Sequence, residues 1–156
     1  MEIERVGIAP SEFEQCFAAV KQGIFPYVEA VFGWDDDVQR ERLTNEYEPH
    51  WFSWILLGGE RVGLLCCKPY EDALHIHLLI IFPPYQGRQP GSAVMARLYR
   101  EAASEGRLRV TLSSFSANQR AIGFYRRLGY QVVAEKPAFV SLSRPVTREE
   151  YVGTNG

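Results

Sequence analysis

Charged and apolar side chains alternate over residues 2–8, a period of two that predicts a first strand. Pro10-Ser11, with Glu14 three residues after the serine, forms a capping box that predicts a helix to about Lys21, with Gly23 as its stop. Residues 25–32 are rich in aromatics and predict a short helix of their own. After Gly33-Trp34-Asp35-Asp36-Asp37 comes a polar helix to about Asn45. Two apolar runs, 51–57 and 61–68, flank Gly58-Gly59, which is a hairpin signal. Tyr70-Glu71-Asp72 turns the chain into a long strand over 74–82. A loop over 83–91 leads to a helix over 92–104, where Val94, Leu98 and Ala102 recur on one face. A strand over 109–113, a helix over 118–128 stopped by Gly129, and strands over 130–135 and 139–143 complete the pattern. This order predicts one α/β domain over 1–145 with a mixed sheet, and a tail over 146–156.

Composition narrows the function classes. At 156 residues, 46% hydrophobic and 23% charged, the chain has the balance of a globular domain. Its net charge of -2 argues against broad attraction to nucleic acid or to an anionic membrane. No apolar run reaches the roughly 20 residues that span a bilayer. The start, Met1-Glu2-Ile3-Glu4-Arg5, lacks the basic and apolar segments of a secretory signal. Three cysteines, Cys66 and Cys67 adjacent, form neither a disulfide framework nor a metal-ligand spacing, so buried reduced thiols and a cytoplasmic location are expected. The histidines show no zinc pattern, and no metal is expected.

The stretch Ile80-Ile81-Phe82-Pro83-Pro84-Tyr85-Gln86-Gly87-Arg88-Gln89-Pro90-Gly91-Ser92-Ala93 carries a strand through a glycine-bearing loop into a helix. Unpaired N–H groups at a helix start, backed by the helix dipole, suit an anion, and glycines let backbone approach a pyrophosphate. Neither Gly-Lys-Ser/Thr nor Gly-x-Gly-x-x-Gly is present, which sets aside the two familiar nucleotide loops. The stretch resembles the acetyl-CoA-binding segment of the GNAT superfamily of N-acetyltransferases, Gln/Arg-x-x-Gly-x-Gly/Ala. Asn118-Gln119-Arg120-Ala121-Ile122-Gly123-Phe124-Tyr125-Arg126-Arg127-Leu128-Gly129-Tyr130 is similar to the same family's following helix. One position departs: Gln89 stands where the family usually has its first motif glycine, and Pro90 restricts Gln89 to extended backbone and removes a donor.

The resemblance implies an α/β GNAT-like fold, a mostly antiparallel mixed sheet of about six to seven strands flanked by helices. It implies acetyl-CoA as acyl-donor cosubstrate, gripped by Ile80, Ile81, Gln86, Gly87, Arg88, Gln89, Gly91, Ser92, Asn118 and Tyr125. It also implies direct attack of an amine on the thioester, with the backbone N–H near Ile81 facing the oxyanion and Tyr125 protonating the leaving thiolate. Asn118 matches a position that often bonds the pantetheine arm.

The acceptor side is less determined. His75 and His77 share a strand face by period two, and histidine has a pKa suited to a general base. In several relatives a base sits eleven residues before the motif's leading Gln, which falls on His75; His77 and a water are the alternatives. Trp34 and Asp35 could meet a cationic amine, as a similar segment does in part of the family. Helix capping by the same acidic run, with Asp36 and Gln39 as the box, is equally open. The expected activity is acetyl transfer to a primary amine of a small molecule or peptide. A catalytically weak acyl-CoA-binding relative, acting as sensor or assembly partner, is the alternative. Dimers are frequent among relatives, so a homodimer is one expected assembly.

Overall fold

In the computed structural model, residues 2–87 and 90–147 are described. Seven strands form one mixed sheet: β1 (Glu4–Gly7), β2 (Phe52–Leu57), β3 (Glu60–Tyr70), β4 (Ala73–Ile81), β5 (Arg109–Phe115), β6 (Gln131–Glu135) and β7 (Phe139–Pro145). They are hydrogen-bonded in the order β1-β2-β3-β4-β5-β7-β6. The pairs β1–β2, β2–β3, β5–β7 and β6–β7 are antiparallel, and β4–β5 is parallel. The helices are α1 (Phe13–Val31), α2 (Asp36–Asn45), α3 (Pro90–Ser104) and α4 (Gln119–Arg127). A parallel pair needs a long crossover, and α3 supplies it. Outside α1, expected strand and helix positions hold to within a few residues at either end.

The chain divides into two compact units. One comprises the chain up to Cys66 with Leu78–Gly91, and the other Cys67–His77 with the chain from Ser92 on. In the first, α1 sets Cys16, Ala19 and Val20 against Phe52 and Trp54 of β2, Leu64 and Cys66 of β3 and Ile80 of β4. Leu64 and Cys66 are wholly buried, and a buried leucine contributes about 2 kcal/mol through the surface it removes from water. The hairpin falls where Gly58 and Gly59 predict it, with φ of 60° and 80°.

Two expectations about α1 are corrected. Gly23 does not end the helix, and residues 25–32 are not a separate one: α1 continues through Gly23 and Pro26 to Val31. Gly23 serves packing instead, because a Cβ there would lie 2.7 Å from the Ile80 side chain. The expected Ser11–Glu14 box is also replaced. A 3-10 turn, Pro10–Glu12, precedes α1, and the Ala9 N–H donates to Glu12 Oε1 at 2.9 Å. Glu14 pairs with Arg40 of α2 at 3.0 Å.

In the second unit, Val110 and Leu112 of β5 and Val140 and Leu142 of β7 are buried with period two. Val94, Leu98 and Ala102 of α3 are buried at the predicted spacing. Gly129 has φ 98°, the left-handed stop expected after α4. Cys16, Cys66 and Cys67 are buried thiols, and burial pushes the Cys16 pKa up to about 11. The tail beyond Thr147 lies outside the described residues.

Candidate functional site

The strand-to-helix loop begins at the end of β4, where Gly63 of β3 is required. A Cβ there would come within 2.3 Å of the Ile80 carbonyl oxygen. Phe82 N–H then donates to the Val62 carbonyl at 2.9 Å, holding the strand end beside β3. A 3-10 turn over Pro83–Tyr85 leads to Gln86, whose Nε2 donates back to the Ile81 carbonyl at 2.8 Å. Gly87 follows at φ 80°, a backbone conformation that favours glycine, with nothing within 4 Å of where a Cβ would be. Arg88 and Gln89 lie outside the described residues. Helix α3 opens at Pro90, a position whose N–H a helix would leave without an internal partner.

In the other unit, Ser92 and Gly91's successors continue α3, and Asn118 caps α4 by accepting from the Ala121 N–H at 3.2 Å. This employs the Asn118 side-chain oxygen, a local duty the family pattern did not reveal. Tyr125 is buried at 8% exposure, its ring 5.1 Å from Phe124 and 5.9 Å from Tyr130. Burial pushes its pKa up to about 12, which keeps the phenol protonated at any physiological pH.

His75 and His77 come together as their spacing predicts, ring centroids 4.8 Å apart and edge to face. They line a groove of about 360 Å³ with Lys68, Tyr70, Asp72, Arg109, Thr111 and Ser141 among others. His75 Nδ1 lies 2.8 Å from Thr111 Oγ1, a residue directly opposite it in the parallel register. Burial, then the Lys68 charge, lowers the His75 pKa. Burial, His75 and Lys68 bring His77 down to about 4. Both rings are therefore neutral at pH 7 and can accept a proton.

Trp34 and Asp35 are occupied differently from the amine-binding expectation. Asp35, not Asp36, caps α2 by accepting from the Val38 N–H at 3.0 Å. Asp36 Oδ1 accepts from Trp34 Nε1 at 2.5 Å and from Lys21 Nζ at 2.9 Å, which lowers its pKa through the indole first and the ammonium second. The cation beside the indole is Lys21, 5.8 Å from the ring centroid. These residues join α1 to α2.

Sequence reading missed Thr111 and Lys68. Thr111 lies at an outward position of β5, and the parallel register pairs it with His75, while Lys68 shares the lining of the same groove. Among the described residues, no group of three or more His, Cys, Asp or Glu could hold a metal ion. No described helix is long and apolar enough to cross a membrane.

The family model described as acetyltransferase (GNAT) family matches residues 16–130, and the chain belongs to that family. The uncharacterized N-acetyltransferase MJ1207 of Methanocaldococcus jannaschii is 24% identical over 123 residues, covering 67% of this chain and 53% of its own length. The Arabidopsis thaliana N-alpha-acetyltransferase MAK3 is 30% identical over 76 residues, 46% of this chain and 40% of its own. The chain thus spans about half the length of these sequence relatives. Among solved structures, the PaiA N-acetyltransferase of Thermoplasma acidophilum in complex with coenzyme A superposes with TM-score 0.71 at 12% identity, covering 93% of this chain and 99% of that one. The Escherichia coli ribosomal-protein-S18-alanine N-acetyltransferase gives 0.67 at 13% identity, covering 94% and 95%. These likenesses confirm the expected fold class, a seven-stranded mixed sheet flanked by helices.

Proposed function

We propose that this protein transfers an acetyl group from acetyl-CoA to a primary amine. The observation that carries the reading is the loop after β4, a Gln86-braced turn followed by Gly87 at positive φ, in a chain matched to the GNAT family over 16–130. The likeness to a CoA-bound acetyltransferase supports the same donor. In this reading Gln86 braces the strand end and Gly87 offers backbone to the pyrophosphate, and the family motif adds Arg88, Gln89, Gly91 and Ser92 as further contacts by sequence alone. Ile80 and Ile81 would flank the thioester, and the Ile81 N–H would face the oxyanion.

Acetyl-CoA supplies the acyl group as a thioester. His75 takes the proton the amine loses, directly or through a water, with His77 beside it. Deprotonating an alkylammonium at pH 7 costs about 4.6 kcal/mol, so a neutral imidazole within reach lowers that demand. As the N–C bond forms and the C–S bond breaks, Tyr125 gives its proton to the leaving sulfur. Asn118 holds the start of α4, the helix that carries Tyr125. Trp34 and Asp35 are left to the joint between α1 and α2. The reading includes a cytoplasmic setting and leaves a homodimer as one possible assembly.

Gln89 in place of the motif glycine favours one second reading, a relative that binds acyl-CoA without turnover. Calorimetric titration with acetyl-CoA, then thiol release with a panel of amines, separates the two. Saturable binding with amine-dependent thiol release supports transfer. Binding without release supports the second reading, and no binding at millimolar ligand removes both.

A further inference from the structure

Gly129 and Tyr130 join α4 to β6, and the turn ties the second residue back to the helix. Gly129 takes φ 98°, and the Tyr130 N–H donates to the Tyr125 carbonyl at 3.1 Å. The two phenol rings then stand edge to face, centroids 5.9 Å apart. Tyr130 is only 3% exposed, and its hydroxyl is buried with no hydrogen-bond partner among the described residues. An unpaired buried hydroxyl costs stability, and phenylalanine would fill the same space without that cost. The charged and titratable side chains that act on Tyr130 are Arg144 of β7, Tyr125 of α4 and Tyr99 of α3. Arg144 lies with its guanidinium 4.0 Å over the Tyr99 ring. The Tyr99 hydroxyl is engaged, accepting from the Thr147 N–H at 2.8 Å. Burial raises the Tyr130 pKa, and the Arg144 charge opposes that rise.

We propose that Tyr130 is a positioning residue for Tyr125: its hydroxyl donates a hydrogen bond, directly or through one shared water, to the Tyr125 oxygen as that oxygen gives up its proton. The inference rests on the acetyl-transfer reading. In that step the C–S bond breaks with its electron pair on sulfur. The Tyr125 proton passes to the sulfur, and the Tyr125 oxygen is left negative. Tyr130 keeps its own proton and shares it with that oxygen. The proton that His75 took from the amine returns to Tyr125 through solvent, which closes the cycle. Tyr125 holds its proton up to about 12, whereas a thiol loses its own near about 8.5, so the transfer runs uphill. A hydrogen bond to the developing phenolate narrows that gap, and it counts for more in a buried site than in water. The Arg144 charge makes the Tyr130 O–H the stronger donor.

The test compares Tyr130→Phe, Tyr125→Phe and the double variant by amine-dependent thiol release at saturating acetyl-CoA. Tyr130→Phe should lower kcat about tenfold and leave the KM for acetyl-CoA unchanged. Its denaturation midpoint should hold or rise, because the hydroxyl removed has no partner to lose. Added to Tyr125→Phe, the same change should alter kcat by less than about twofold, since the oxygen it serves is gone. A native rate in Tyr130→Phe overturns the proposal. So does a tenfold loss that persists without the Tyr125 hydroxyl, or one that comes with lost stability. A readout free of turnover runs alongside. A crystal structure with coenzyme A should place the two phenol oxygens within about 3.2 Å, or each within that distance of one water. Native protein that releases no thiol with any amine sinks acetyl transfer and this step with it. Thiol release by a protein whose phenol oxygens are unlinked overturns this proposal alone.

Discussion

Thr111 Oγ1 lies 2.8 Å from His75 Nδ1, across a parallel register that pairs the two residues directly. When Nδ1 carries the proton, its N–H donates a hydrogen bond to Thr111 Oγ1 and the Nε2 lone pair stays available to an amine. Thr111→Val keeps the shape and removes the hydroxyl. It should lower kcat by about tenfold with little change in KM for acetyl-CoA, whereas Thr111→Ser should restore most of the rate. Equal rates for all three proteins would place the hydroxyl outside the reaction.

The histidine pair predicts a pH dependence with a definite sign. His77 falls from 6.5 to about 4 in the folded protein, and His75 is lowered too, under burial and the Lys68 charge. Lys68, Tyr70, Glu71, Asp72 and Arg109 are the other titratable groups lining the groove. A depressed histidine binds its proton more readily when unfolded, so its stabilisation is present above pH 6.5 and lost as pH falls toward about 4. Denaturant titrations between those limits should show that loss, and His77→Gln should flatten it. The acid limb of kcat/KM should likewise lie below pH 6.5, the ordinary histidine value.

Tyr125 is buried and holds its proton up to about 12. Tyr125→Phe conserves the ring packing against Phe124 and Tyr130. It should leave folding stability and acetyl-CoA affinity nearly unchanged and reduce kcat by about a hundredfold. Stopped-flow thiol release beside calorimetric binding measures both. A fall in affinity with unchanged kcat would reassign the residue to donor binding.

Gly63 has no room for a side chain, because a Cβ would sit 2.3 Å from the Ile80 carbonyl oxygen. Gly63→Ala should destabilise the protein by about 2 kcal/mol or more, since the backbone of β4 cannot yield as a flexible side chain would. Chemical denaturation checks the value. Gly87→Ala is the contrast: its φ of 80° makes the substitution strained although the space is open.

Asp35 decides between two duties. As the cap of α2 its loss in Asp35→Ala should cost about 1 kcal/mol of stability. The KM for the amine should stay unchanged, because the groove that holds His75 and His77 is lined by other residues. A raised KM without lost stability would return Asp35 to the acceptor side.

Much of this protein was legible in the order of its residues. Alternation, apolar runs and turn signals located the seven strands, and helical spacing gave the buried face of α3, because burial on one face repeats at the pitch of the element. Gly58-Gly59 and Gly129 announced their turns through a backbone conformation that favours glycine. The two motifs around Gln86 and Tyr125 announced the family. What sequence could not decide is contact across the fold. Gly23 reads locally as a helix stop, yet it permits α1 to approach Ile80, a packing need that outweighs its helix propensity. Asp35 and Asp36 are chemically equivalent in sequence, and only the positions of Val38, Trp34 and Lys21 assign one to the cap and the other to the indole. Thr111 meets His75 through strand register, and register is set by the burial of whole strands rather than by neighbours in sequence.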